Sequence, residues 1–264
     1  MIILDKLLNR ISRPSLVNPL KPFWGWLITI SFLLSLSPAH SELIPTNQVR
    51  VAIFNGTGVC EGCAESIGDV LEEMGYRVSY WHQGELTVAA FKGIDLYVQP
   101  GGSDRLEDTL EVLDGEQIKN LREFVQHGGR YLGICAGAYL AGQKVDQQRT
   151  AMFGLLPIHI QSESPTAEPR LKSVVWQNQK KHLLYFQDGP YFDLAPLTGA
   201  QIFGRYEKSG HVAAFIAASG AGKVGLIGPH LEADKDWFKE DHLPLPPLHF
   251  RKLGKEFITA LMKP

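Results

Sequence analysis

From Val49 onward the chain repeats one pattern: a short β-branched or aromatic run that stops at glycine, then a stretch of helical periodicity. VRVAIFNG (49–56) is such a run, and AESIGDVLEEMG (64–75) sets Ile67, Val70, Leu71 and Met74 on one helical face before Gly75 ends it. YRVSYW (76–81) and IDLYVQPGG (94–102) supply two more strands. GEQIKNLREFVQHGG (115–129) spaces Ile118, Leu121, Phe124 and Val125 as a helix, and RYLGICAG (130–137) is a fourth strand. Strands alternating with helices of about a dozen residues predict βαβ units, hence a parallel sheet with helices on both faces.

The second half changes character. VVWQ (174–177), HLLYF (182–186), QIFGRY (201–206), HVAAFIAAS (211–219) and GKVGLIGPH (222–230) read as strands with too few residues between them for helices. They predict antiparallel additions to the parallel core. HFRKLGKEFITALM (249–262) is an amphipathic helix that packs back on the sheet. The expected organisation is an N-terminal segment over 1–41, a short linker over 42–48 and one α/β domain over 49–264.

Residues 1–41 carry four bases (Lys6, Arg10, Arg13, Lys21) and one acid (Asp5), and residues 22–41 have no charge of the Asp, Glu, Lys or Arg kind. The centre, FWGWLITISFLLSL (23–36), is followed by SPAHS, where Ala39 and Ser41 have the spacing of a cleavage site. Basic, apolar and small-residue regions in that order read as a secretory signal. An uncleaved membrane anchor is the alternative, disfavoured because the dense apolar core has 14 residues where a spanning helix needs about 20. Either way the domain is expected outside the cytoplasm, periplasmic, secreted or held at the inner membrane through this segment alone. Residues 42–264 include 22 basic and 27 acidic side chains, a net charge of −5. Without a basic run this part is not expected to bind nucleic acid. The sequence leaves the oligomeric state open.

Three features fall at predicted strand ends, where open α/β sheets bind ligands. Gly133-Ile134-Cys135-Ala136-Gly137 puts Cys135 on a strand-to-helix turn with glycines two residues away on each side, the form of a nucleophile elbow. A helix N-terminus beneath the sulfur favours thiolate over thiol. A buried apolar cysteine with packing glycines is the bland reading. Pro100-Gly101-Gly102 offers backbone N–H groups that, with that of Ala136, suit an oxyanion hole; alone it is a tight turn. In Gly228-Pro229-His230-Leu231-Glu232, residues two apart in an extended segment point the same way, so Glu232 can orient His230 toward Cys135. Read singly, His230 is a structural histidine and Glu232 a solvated charge.

Taken together, the elbow, the upstream PGG and the downstream H-x-E resemble the class I glutamine amidotransferase superfamily. LYVQPGGSD, LREFVQHGGRYLGICAGAYLAG, YFQDGPYF, RYEKSGHVAAF and GKVGLIGPH are similar to the domain found at the N-terminus of biotin-protein ligases and as stand-alone bacterial proteins. The resemblance spans nearly all of 49–262. It implies a flavodoxin-like α/β fold, a catalytic triad of Cys135, His230 and Glu232, and a pocket position for Gln187-Asp188-Gly189-Pro190-Tyr191, which by itself is a polar turn, with Asp188 joining Gly101, Gly102 and Ala136 as an expected oxyanion or substrate contact. Nothing resembles a biotin ligase catalytic domain or its adenylate-binding loop, so biotin transfer is not implied. Nothing in these residues resembles a synthetase domain that would receive ammonia.

Cys60-Glu61-Gly62-Cys63 is a C-x-x-C at a predicted helix start. Outside the cytoplasm it reads as a local disulfide; a redox pair is the weaker alternative. No cofactor is expected, and no metal, because a second ligand pair is missing. The functional expectation is an exported thiol-dependent hydrolase or amidotransferase-like enzyme acting on a small-molecule or peptide amide. The rival is a non-catalytic ligand- or partner-binding module on the same fold.

Overall fold

The computed structural model describes residues 48–103, 105–145, 152–246 and 250–264; the N-terminal segment over 1–41 lies outside them. The chain runs β1 (Arg50–Phe54), α1 (Cys63–Glu73), β2 (Arg77–Trp81), α2 (Val88–Phe91), β3 (Leu96–Gln99), α3 (Leu106–Val112), α4 (Gly115–Gln126), β4 (Arg130–Ile134) and α5 (Ala136–Leu140). It continues with β5 (Lys144–Val145), β6 (His159–Ser162), β7 (Arg170–Trp176), β8 (Lys181–Phe186), β9 (Pro190–Phe192), β10 (Gln201–Tyr206), β11 (Val212–Ser219), β12 (Gly222–Ile227), α6 (Lys235–Glu240) and α7 (Phe250–Met262).

The sheet order is β2-β1-β3-β4-β12-β11-β10-β7-β8. Pairings from β2 to β12 are parallel and those from β12 to β8 antiparallel, so β12 is the junction between the βαβ half and the hairpin half. The alternation of side chains along a strand divides the core. Val51 and Ile53 face a layer built with Ile67 and Leu71 of α1 and Phe257 and Leu261 of α7. Ala52 and Phe54 face the other, with Leu121 and Val125 of α4. Burial on both faces is what makes these runs continuously apolar.

Local chemistry sets the element ends. α4 starts at a capping box: Gln117 N donates to Asp114 Oδ1 (2.8 Å) and Asp114 N donates to Gln117 Oε1 (3.1 Å). Gly75, at φ 80, turns the chain out of α1. Between 187 and 191, where the sequence reads as a turn, Pro190 begins β9, which pairs with β6 and β11. Three residues are too few for a period-2 signal, and tertiary pairing defines that strand.

The topology positions the site. β4 and β12 are adjacent and in register, Ile134 opposite Ile227, and Cys135 N donates to Ile227 O (2.9 Å). The segments leaving these two strands therefore emerge side by side at the carboxyl edge, carrying Cys135 and His230.

Candidate active site

Cys135 has φ 50 and ψ −110, a conformation that L-residues rarely adopt and that costs about 1–3 kcal/mol where surroundings impose it. The surroundings are specific. A Cβ on Gly133 would lie 2.6 Å from Gly137 O, and one on Gly137 would lie 2.0 Å from Gln99 O, so both positions need the bare backbone. Gly137 N donates to Pro100 O (3.1 Å), and the Tyr131 hydroxyl donates to Gly137 O (2.7 Å). The elbow is thus locked both to its own strand and to the loop after β3. The following helix, α5, has five residues, so the dipole expected beneath the sulfur is that of little more than one turn.

The structure brings Cys135, His230 and Glu232 together. His230 Nδ1 lies 2.8 Å from Glu232 Oε1, with His230 3% and Glu232 0% exposed. The second carboxylate oxygen, Oε2, is buried without a hydrogen-bond partner among the described residues. Cys135 lies close enough to act on the His230 ring, and with Nδ1 engaged by Glu232, Nε2 is the nitrogen left for the sulfur. In its thiol form, Sγ donates to Gln187 O (3.3 Å). Burial is the largest influence on the ring and disfavours its charge. Glu232, then Cys135, outweigh it by charge and hydrogen bonding and raise the His230 pKa to about 10. The balance favours the protonated ring.

Aromatic rings fix the imidazole. Tyr185 meets it edge-on with centroids 5.6 Å apart, and Trp237 lies at 5.1 Å. His230 N donates to Tyr185 O (2.9 Å), and the Tyr185 hydroxyl donates to Asp241 Oδ2 (2.5 Å). Burial first, then this hydrogen bond and the nearby charge, push the Tyr185 pKa up, so the ring stays neutral. Gln187, in the turn that the resemblance gave a pocket position, lines the cavity of Cys135; sequence reasoning missed Tyr185 and Trp237. Tyr185 comes from the end of β8 and Trp237 from α6, and no local motif marks a residue whose role depends on a distant strand folding back.

Gly102 and Ala136 line the cavity of Cys135 and Gly101 packs against His230 and the disulfide, and the N–H groups of all three donate to no backbone acceptor among the described residues. Cys60 and Cys63 are joined by a disulfide, with Cα atoms 5.4 Å apart. Asp188, at φ 47, accepts from Ser162 Oγ (3.0 Å). Cys135, Ala136, Gly102, Asp188, Trp237 and Cys60 all line one cavity of about 440 Å³. A larger cavity of about 960 Å³ is lined by Arg50, Asp95 and Arg130 at the amino-terminal ends of the strands. That is the edge opposite to where parallel sheets bind ligands. No group of three or more His, Cys, Asp or Glu able to hold a metal occurs among the described residues.

A parallel sheet extended by antiparallel strands, with a cysteine elbow at the junction, is the architecture of class I glutamine amidotransferase-like proteins. A glutamine amidotransferase structure aligns at TM-score 0.56 and 15% identity, covering 80% of this chain and 98% of the other. The structure of PurLQS from Thermotoga maritima aligns at 0.56 and 16%, covering 81% and 100%. A second glutamine amidotransferase, from Thermotoga maritima, gives 0.54 and 15%, covering 83% and 100%. More narrowly, residues 49–152 match the family described as Biotin-protein ligase, N terminal. The match includes Cys135; His230 and Glu232 lie beyond it. Comparison with curated proteins gives no match.

Proposed function

We propose that this chain is an exported thiol-dependent hydrolase or amidotransferase-like enzyme that cleaves an amide or related acyl bond. The observation that carries the reading is the buried line from Glu232 through His230 to Cys135, at a cavity also lined by Gly102 and Ala136. In this reading Cys135 attacks the acyl carbon as the thiolate, its proton held on His230 Nε2. Glu232 holds Nδ1–H and thereby the ring's orientation. The N–H groups of Ala136 and of Gly101 or Gly102 take the charge developing on the carbonyl oxygen. His230 then gives its proton to the leaving amine, and water, deprotonated by the neutral imidazole, hydrolyses the thioester. A positioned acid–base group contributes about 10²- to 10⁴-fold and an oxyanion donor about 10²- to 10³-fold. The basic and apolar N-terminal segment supports export.

The test is capture of the acyl-enzyme. The exported domain is mixed with p-nitrophenyl acetate, quenched within seconds and mapped by peptide mass. Acetyl on the Cys135 peptide, absent from Cys135→Ala, is the expected result. A Cys135 peptide that stays unmodified while p-nitrophenolate is released at the Cys135→Ala rate would overturn the catalytic reading and leave a binding module on the same fold.

A further inference from the structure

Cys60 and Cys63 take no part in the Cys135–His230–Glu232 line, yet both sulfurs approach it through Gly101. A Cβ at position 101 would lie 2.8 Å from His230 Cε1 and 3.2 Å from the sulfur of Cys60 and of Cys63. The disulfide and the imidazole therefore meet at the face where Gly101 has no side chain. The loop that carries Cys60 is bound to the 100–103 loop along its length. Cys60 N donates to Gly101 O (3.2 Å), Ser103 N donates to Gly58 O (3.0 Å), and Val59 and Gly102 form an isolated antiparallel bridge.

The loop bound this way is intrinsically loose. Residues 56–62 include Gly56, Gly58 and Gly62, the last two at φ 90 and φ 75, and glycine loses more freedom on ordering than any other residue. The disulfide supplies the missing constraint from the far side. It ties Cys60 to Cys63, which is 1% exposed and is the first residue of α1, so the loop is anchored to a packed helix. A bridge between residues three apart restrains the unfolded chain little, because that effect grows with loop length. Its consequence is local, at the wall of the cavity that Cys60 shares with Cys135.

We infer that the Cys60–Cys63 disulfide is a positioning element of the active site: it clamps the 56–63 loop onto Gly101 and Gly102 and so fixes their N–H groups where the oxyanion forms. This rests on the acyl-transfer reading above. Two reactions of the same sulfur separate the effect from general loosening. Acylation of Cys135 by p-nitrophenyl acetate passes through a tetrahedral oxyanion, whereas alkylation by iodoacetamide displaces iodide at a saturated carbon and forms none.

Both rates are measured at Cys135, by peptide mass, for the parent domain and for Cys60→Ser/Cys63→Ser. Deleting an oxyanion donor outright costs about 10²- to 10³-fold. A displaced loop is expected to slow acylation about tenfold or more and to leave alkylation within about twofold. Equal acylation rates in the two proteins would overturn the inference, and so would a parallel fall in both reactions, the mark of a purely structural bridge. If the double variant does not fold, the parent is treated with a water-soluble phosphine, which takes up oxygen from water as the disulfide becomes two thiols, and the Cys135 peptide is followed as before. Absence of acylation in the parent itself would overturn the acyl-transfer reading, and this inference with it.

Discussion

His230 Nδ1 and Glu232 Oε1 are 2.8 Å apart, two residues from each other in the segment leaving β12, with neither residue more than 3% exposed. A buried carboxylate is costly unless paired, and among the described residues this one has a single hydrogen-bond partner, the ring it orients.

Replacing Glu232 with Gln keeps the shape and removes the charge that raises the His230 pKa. Acyl transfer by Glu232→Gln is expected to fall about 10²- to 10⁴-fold, and the alkaline limb of its pH–rate profile to move below that of the parent. A profile that falls in amplitude without moving would contradict the charge argument.

The same pair makes stability depend on pH with a defined sign. Because the folded pKa of His230, about 10, is raised above its ordinary value of about 6.5, the native state binds the proton more tightly than the unfolded chain. The stabilisation is complete below about pH 6.5 and is lost as the pH rises through about 10. Urea midpoints measured from neutral pH to above 10 should decline, and the His230→Asn variant should lack this part of the decline.

The backbone at Cys135 yields a prediction of opposite sign for stability and activity. Glycine adopts φ 50 without a Cβ penalty, so Cys135→Gly is expected to abolish acyl transfer while raising stability by about 1 kcal/mol. Urea unfolding decides it; a clear loss of stability would show that the sulfur's packing outweighs the strain at the elbow.

The elbow glycines behave differently. A Cβ on Gly137 would be 2.0 Å from Gln99 O, inside van der Waals contact with backbone that cannot swing away. Gly137→Ala should cost about 1–3 kcal/mol or more, as overpacking does, read as a lowered urea midpoint. Gly115, with open space around its Cβ position, is the control: Gly115→Ala should leave stability nearly unchanged.

Much of this was legible before the structure. The β-branched runs before Gly56, Gly101 and Gly137 predict the parallel strands because both faces of those strands are buried, and Cys135, His230 and Glu232 stand out because each occupies a strand end. Gly133 and Gly137 could be read as elbow glycines, but the reason they are needed, the approach of Gly137 to Gln99 O, is a contact between distant backbones. Tyr185 and Trp237 carried no signal, since an aromatic residue beside an imidazole looks in sequence like any core residue. The short elements β9, α3 and α6 also escaped. β9 depends on pairing with β6 and β11, and α6 on a cap in which Asp234 accepts from Asp236 N and Trp237 N.

The most direct test of the central claim is the pre-steady-state rate of Cys135 acylation by p-nitrophenyl acetate in the parent domain and in His230→Ala, followed by peptide mass. A working nucleophile held by His230 predicts rapid acetylation of the parent at Cys135 alone and a fall of about 10²- to 10⁴-fold in the variant. Equal rates in the two proteins would contradict it.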